Sequence, residues 1–240
     1  MRQTITRTLL ETFKSGDRLV ELGCGTGDDA IALANQGCEI FALDPSPKMI
    51  AIASSKASTS RARQNLQFLV GGGADLTRNQ TGISRDLAFD GAYASFSMSY
   101  EADLPSISEA LGARVRPNGR LLIAAMNRLC GVELAVALLS GHPKLAGRRL
   151  AAHTLHKVGD FATPVYPRTT RELVDAFRGN FVLEDARALP AVLPPHYANR
   201  LLRRWGPVMT ILMGLDPYLS SLPLVRLLGD HNLLRFRRTA

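Results

Sequence analysis

Leu19-Val20-Glu21-Leu22-Gly23-Cys24-Gly25-Thr26-Gly27-Asp28-Asp29 reads as a buried strand, a glycine turn and a helix start within eleven residues. Three glycines at alternate positions allow positive φ and let a ligand approach the main chain where no Cβ intervenes. A dinucleotide turn needs G-x-G-x-x-G, with the pyrophosphate resting on the helix N-terminus. Here Asp28 stands where the third glycine belongs, and Asp29 follows it. Two carboxylates at a helix start satisfy the helix dipole themselves and repel a phosphate. No Gly-Lys-Ser/Thr follows, so the Walker pattern fails as well. The turn therefore suits a cationic ligand that carries no phosphate.

Outward from this turn, strand and helix patterns alternate, which defines an α/β chain. A helix over Thr4 to Phe13 precedes the turn, and the run Ala30 to Ala34 continues as helix after it. A second strand, Phe41-Ala42-Leu43-Asp44, ends in an acid 17 residues past Gly27. Ser46 as N-cap and Pro47 in the first turn predict a helix to about Ala57. Leu66 to Val70 is a third strand, and Phe89 to Phe96 a fourth. Leu104 to Val115 reads as helix, Arg116 to Arg120 as a turn, and Leu121 to Met126 as a fifth strand. Thr169 caps a helix through Phe177, a sixth strand runs from Phe181 to Leu189, and Asn232 to Arg237 forms the last strand.

The run E-L-G-C-G-T-G, followed by a second strand ending at Asp44, resembles class I S-adenosylmethionine (SAM)-dependent methyltransferases, of the small-molecule type 11/25 kind. The resemblance covers residues 17 to 127 and implies a Rossmann-like, doubly wound sheet of seven strands with an antiparallel last strand. It implies SAM as cofactor. Glu21, Gly23, Cys24 and Gly25 then border its methionine part, and Asp44 binds both ribose hydroxyls with Pro45 and Met49 beside it. Gly73, Ala74 and Asp75 lie toward the adenine, and Ser95 begins the segment to Tyr100 at the reaction centre. The family's Gly-Asp-Ala pattern after strand 3 places an acid on the adenine amine. That position is Gly72 here, so Asp75 is the surviving acid, read equally as a turn cap. Some fifteen residues precede strand 1, where family members usually carry more helices.

Two segments of roughly forty residues fit no core element. The organisation expected is a core over 1–127, a cap insertion over 128–168, a core helix and strand over 169–189, a second cap insertion over 190–230, and the last strand with its tail over 231–240. Both insertions leave the sheet at strand carboxyl ends, where ligands of open α/β sheets bind, and so read as helical caps over the cleft. Leu193, Tyr197, Leu201, Trp205, Met209, Leu212 and Met213 recur at helical steps and predict an apolar face for an apolar acceptor.

The chain has 240 residues, 46% of them apolar, enough for a sizeable core. No leader pattern and no uninterrupted run of about 18 apolar residues stands out, which predicts a cytoplasmic protein. Cys24, Cys38 and Cys130 lack C-x-x-C spacing, so neither a disulfide framework nor a metal site is expected. The net charge of +8 is uneven. Residues 1–113 hold 10 basic and 13 acidic side chains, whereas residues 114–240 hold 19 and 8. An acidic half suits a sulfonium, and a basic half suits an anionic acceptor, a membrane surface, nucleic acid or plain solvation.

Methyl transfer from a sulfonium relies mainly on positioning, and a hydroxyl acceptor gains from a general base. The candidates are His142, His153, His156, His196 and His231, with Tyr100, Tyr166 and Tyr197 as positioners. His196 and His231 flank the second insertion and are preferred, with Tyr100. The function expected is SAM-dependent methylation of a small, mainly apolar molecule. The alternatives are an RNA or DNA methyltransferase, disfavoured because Leu193-Pro194-Pro195-His196-Tyr197 lacks the leading polar residue of the amino-methylating motif, and a binding module without catalysis. A peripheral membrane contact through Trp205 to Leu228 stays open.

Overall fold

The computed structural model describes residues 1–139, 149–151, 153–158, 161–193 and 206–240. The first half runs α1 (Arg2–Thr12), β1 (Arg18–Leu22), α2 (Asp28–Asn35), β2 (Glu39–Asp44), α3 (Pro47–Ala57), β3 (Leu66–Val70), α4 (Gly73–Arg78), β4 (Phe89–Ser95), α5 (Leu104–Gly112) and β5 (Val115–Met126). It continues with α6 (Gly131–Leu139), β6 (Thr154–Val158), β7 (Phe161–Val165), α7 (Thr170–Phe177), β8 (Phe181–Ala188), α8 (Gly206–Leu219), α9 (Val225–Leu228) and β9 (His231–Arg238).

Seven strands form one sheet in the order β3-β2-β1-β4-β5-β9-β8. The pairs from β3 to β5 are parallel, and β9 is antiparallel to both β5 and β8. The expected fold class is therefore the observed one. Strand order reverses between β1 and β4, and a crevice opens there outside the carboxyl ends. Side chains alternate across the sheet, so successive residues of β1 feed different cores. Val20 and Leu22 join Ile107, Leu111, Leu173, Phe177 and Phe236 on one face. Leu19 joins Ile5, Leu9, Leu33, Ile40 and Leu122 on the other.

Local chemistry sets the helix ends. Ser46 Oγ accepts the Met49 N–H at 3.4 Å, and Pro47 opens α3. Thr169 and Glu172 form a reciprocal capping box on α7. The helix read through Val115 stops at Gly112, whose carbonyl accepts from Arg238 Nε at 2.8 Å instead of from a further turn. Arg116 to Arg120 bends within β5, with Asn118 at φ 65° and pairing that jumps from Phe89–Val115 to Gly91–Arg120.

The segment after β5 is not purely helical. Beside α6 it holds the antiparallel hairpin β6–β7, a separate two-stranded sheet. After β8, the far end of α8 is fixed at the strand carboxyl ends. Asp216 Oδ1 accepts from the Ala191 and Val192 N–H groups at 2.9 and 2.8 Å, and Ser220 O accepts from Ala188 N. The predicted apolar stripe meets a mixed outcome. Leu212 is half-buried but Met213 is 62% exposed, with Ile211 and Tyr218 exposed beside it. Tyr197, Leu201 and Trp205 lie outside the described residues, as does the Met209 side chain. Among the described residues, no helix is long and apolar enough to cross a membrane.

Candidate active site

The glycine turn is pinned to the neighbouring strand. Gly23 and Cys24 N–H both donate to Leu43 O at 2.8 Å, and Gly23, Gly25 and Gly27 all take positive φ. Gly25 N donates to Asp44 Oδ2 at 2.8 Å, and Ser46 N donates to Asp44 Oδ1 at 2.9 Å. Asp44 is thus buried at the end of β2, oriented by two backbone donors and still holding acceptor lone pairs for a ligand. Glu21 is buried at the end of β1, where Tyr93 Oη donates to it at 3.1 Å. Burial, then the charge of Asp29, pushes its carboxyl up to about 8, against the opposing pull of the Tyr93 hydrogen bond and Arg2.

Asp28 and Asp29 are both engaged by side chains of other elements. Asp28 is held by Arg2 at 3.0 Å and Lys56 at 2.8 Å, and Thr6 Oγ1 donates to Asp29 Oδ1 at 2.6 Å. Arg2 and Thr6 belong to α1, so these acids fasten that helix over the start of α2. Asp28 and Asp29 thus carry a structural role beside the one read for them, while Asp44 is the acid that a glycine-turn N–H reaches directly, from Gly25.

Past β4 the chain enters a short 3-10 turn, Ser97–Tyr100, through Phe96 in the left-handed region at φ 71°. Such a conformation in a non-glycine residue costs about 1 to 3 kcal/mol and concentrates at functional sites. It presents the Phe96 ring to His231, edge to face, at 5.0 Å between centroids. His231 opens β9, and its Nδ1 lies 2.9 Å from Asp230 Oδ2. Burial works against the Asp230 charge, but His231 and Arg149 outweigh it and bring the carboxyl to about 2. Among the described residues no hydrogen-bond partner occupies His231 Nε2.

The remaining predicted positions divide. Ser95 is buried with its Oγ unpartnered, Gly73 is buried, Met49 is half-buried, and Pro45 and Ala74 are exposed on the rim. Asp75 Oδ2 accepts the Gly72 N–H at 2.8 Å, which ties the turn. Tyr100 is exposed at the end of its turn, and His153 is exposed with its ring 6.0 Å from Tyr166. His142, His196 and the His156 side chain lie outside the described residues. Cys130, Glu133 and Asp230 cluster closely enough to ligate a metal, but the Arg149 guanidinium already pairs Glu133 at 2.6 Å and Asp230 at 2.5 Å.

Two residues absent from the sequence reading organise the site. Arg168 lays its guanidinium on the carbonyls of Met98, Glu101 and Ala102, clamping the exit of β4. Fully buried Asn127 donates to the carbonyls of Leu129, Leu227 and Gly229, joining the segments after β5 and β8. An Asn or Arg just beyond a strand is the available signal, but partners lie 66 to 70 residues away for Arg168 and 100 to 102 for two of those of Asn127.

These residues fit SAM. A Cβ at Gly25 meets nothing within 4 Å, so that backbone lies open, and Asp44 and Ser95 retain unused polar capacity. A family model described as a methyltransferase domain matches residues 1–208. The chain belongs to that family. It is 30% identical over 125 residues to "O-methyltransferase rstn1" of Aspergillus nomiae, covering 51% of this chain and 53% of that protein. It is 26% identical over 150 residues to the "Ubiquinone biosynthesis O-methyltransferase" of Xanthomonas oryzae pv. oryzae, covering 62% and 58%. The matches thus span a little over half the length of these relatives. Among solved structures, the S-adenosylmethionine dependent methyltransferase from Mesorhizobium loti superposes with a TM-score of 0.60 at 17% identity, covering 98% of this chain and 96% of that one. That likeness is one of fold.

Proposed function

We propose that the protein is a SAM-dependent O-methyltransferase acting on a small, mainly apolar molecule with a hydroxyl group. The observation that carries this reading is the Asp230–His231 pair beside Phe96 at the exit of β4. The carboxylate at Nδ1 fixes the ring and favours the tautomer with a basic Nε2, the group that takes the proton of an attacking hydroxyl. Bound at the glycine turn, the cofactor supplies a sulfonium methyl that needs little beyond an aligned nucleophile and exclusion of water. Asp44 holds the ribose, Glu21 faces the ammonium end, and Phe96 gives the acceptor an apolar wall. The relatives' names as O-methyltransferases support an oxygen nucleophile.

The basic half reads less as a nucleic-acid surface once its partners are seen. Arg120, Arg235 and Arg237 all converge on Glu184, at 3.6, 3.5 and 3.3 Å, while Arg116 pairs Asp90 and Arg187 pairs Asp185. The buried free thiols of Cys24, Cys38 and Cys130 support a cytoplasmic setting.

The test is methyl transfer from labelled SAM to a panel of phenols and catechols, with amines and RNA as contrasting arms. Transfer to phenols, lost in His231→Gln with S-adenosylhomocysteine affinity retained, is expected. Labelling of RNA or amines alone, or full activity in the variant, would overturn the reading.

A further inference from the structure

The carboxylate of Glu101 stands over the turn that follows β3. Gly73 N–H donates to Glu101 Oε1 at 3.2 Å, and a Cβ built at Gly72 would meet that same oxygen at 3.7 Å and nothing else within 4 Å. Glu101 reaches this place from the opposite wall of the crevice, since it closes the 3-10 turn after β4. Its backbone is fixed there, because its own N–H reaches Met98 O and its carbonyl accepts from Arg168 Nη2. Partly buried and facing Asp75, the carboxyl is raised above its usual range, with burial the main cause and the Gly73 hydrogen bond opposing it.

Position decides what this oxygen meets. With the methionine end of the cofactor at β1 and its ribose on Asp44 at the end of β2, the base attached to that ribose extends toward the next strand end, β3. Adenine presents an amine donor next to a ring-nitrogen acceptor. The Glu101 carboxylate, which spends one lone pair on the Gly73 N–H, keeps acceptor capacity for that amine. Gly72 has no side chain to offer, and Asp75 turns its Oδ2 back onto the Gly72 N–H.

We propose that Glu101 is the residue that recognises the adenine amine of the cofactor, supplying from the β4 exit the acceptor that the β3 turn lacks. This rests on the SAM-binding reading of the site.

The experiment is calorimetric titration of the full chain with S-adenosylhomocysteine and with S-inosylhomocysteine, which carries a carbonyl in place of the amine. Wild type should prefer the adenosyl compound by roughly tenfold to a hundredfold, the worth of a hydrogen bond to a charged group. Glu101→Ala should lose that preference, and Glu101→Gln, which keeps an amide acceptor, should lose less and serves as the folding control. Adding Gly72→Asp to Glu101→Ala should restore part of the preference. Gly72 is extended at φ −130°, a conformation open to any residue, and the alanine removes its single close neighbour. Undiminished preference in Glu101→Ala would overturn the assignment of Glu101 alone. Failure of wild type to bind either compound would overturn the SAM reading with it.

Discussion

Ser97 packs directly onto the α-carbon of Gly23, so that a Cβ added there would fall 2.2 Å from Ser97 Cβ. Ser97 Oγ also donates to Leu22 O, and the exit of β4 is thereby locked to the exit of β1. The glycines of one turn consequently serve different ends. Gly23 permits this interlock, whereas Gly25, at φ 54° with open space beside it, leaves backbone bare for a ligand. Gly23→Ala should lower Tm and weaken S-adenosylhomocysteine binding together. Gly25→Ala should cost only the left-handed strain, about 1 to 2 kcal/mol, yet remove most affinity. Equal effects of the two variants on Tm would contradict the division.

Asp44 orders the turn and, in the proposed reading, holds the ribose. Asp44→Ala should weaken S-adenosylhomocysteine by about 2 to 4 kcal/mol, through loss of charge-assisted hydrogen bonds. It should also lower Tm modestly, since Gly25 N–H and Ser46 N–H lose their acceptor. Calorimetry and a thermal melt on one preparation separate the two losses.

Glu21 gives a pH dependence with a definite sign. Its folded pKa of about 8 lies above the unfolded carboxylate value, so the folded state binds the extra proton between the two. Stability without ligand should therefore fall as pH rises from the ordinary carboxylate range to about 8, and level off above. Glu21→Gln, which carries no titrating proton, should flatten that slope in melts recorded from pH 5 to 9. A cationic ammonium placed against Glu21 favours its ionised form. Bound S-adenosylhomocysteine should thus flatten the slope in wild type as well.

Core elements were legible wherever local chemistry and periodicity agreed. The three-glycine turn, Ser46 before Pro47, and Thr169 three residues before Glu172 each declare themselves within a few positions. The hairpin β6–β7 was passed over, although Val158 and Phe161 flank the pair Gly159-Asp160, a composition that favours tight turns. The structural partners of Asp28 and Asp29 were hidden for a different reason. The acids' position at a helix start was visible, but the partners that bind them, Arg2, Thr6 and Lys56, lie more than 20 residues off on other elements. The same distance hid Glu101, whose carboxylate serves a turn 28 residues upstream.

Arg149 ties the Asp230–His231 pair to the segment after β5. Its guanidinium bonds Glu133, Asp230 Oδ1 and the carbonyls of Asn127 and Asp230, and it is almost wholly buried. Removing one member of a buried ionic group leaves the others uncompensated, at a cost of about 3 to 5 kcal/mol. Arg149→Met should accordingly lower Tm strongly. The acid limb of stability should move too. With its folded pKa depressed to about 2, Asp230 contributes stability that is present above the unfolded carboxylate value and lost as pH falls through that range. Without Arg149 that pKa rises, so the mutant should begin to unfold at a higher pH than wild type. Because Asp230 also orients His231, turnover should drop while affinity for S-adenosylhomocysteine, held at Gly25 and Asp44, stays near wild type. A variant with unchanged turnover and acid stability would show that Asp230 keeps its place without Arg149.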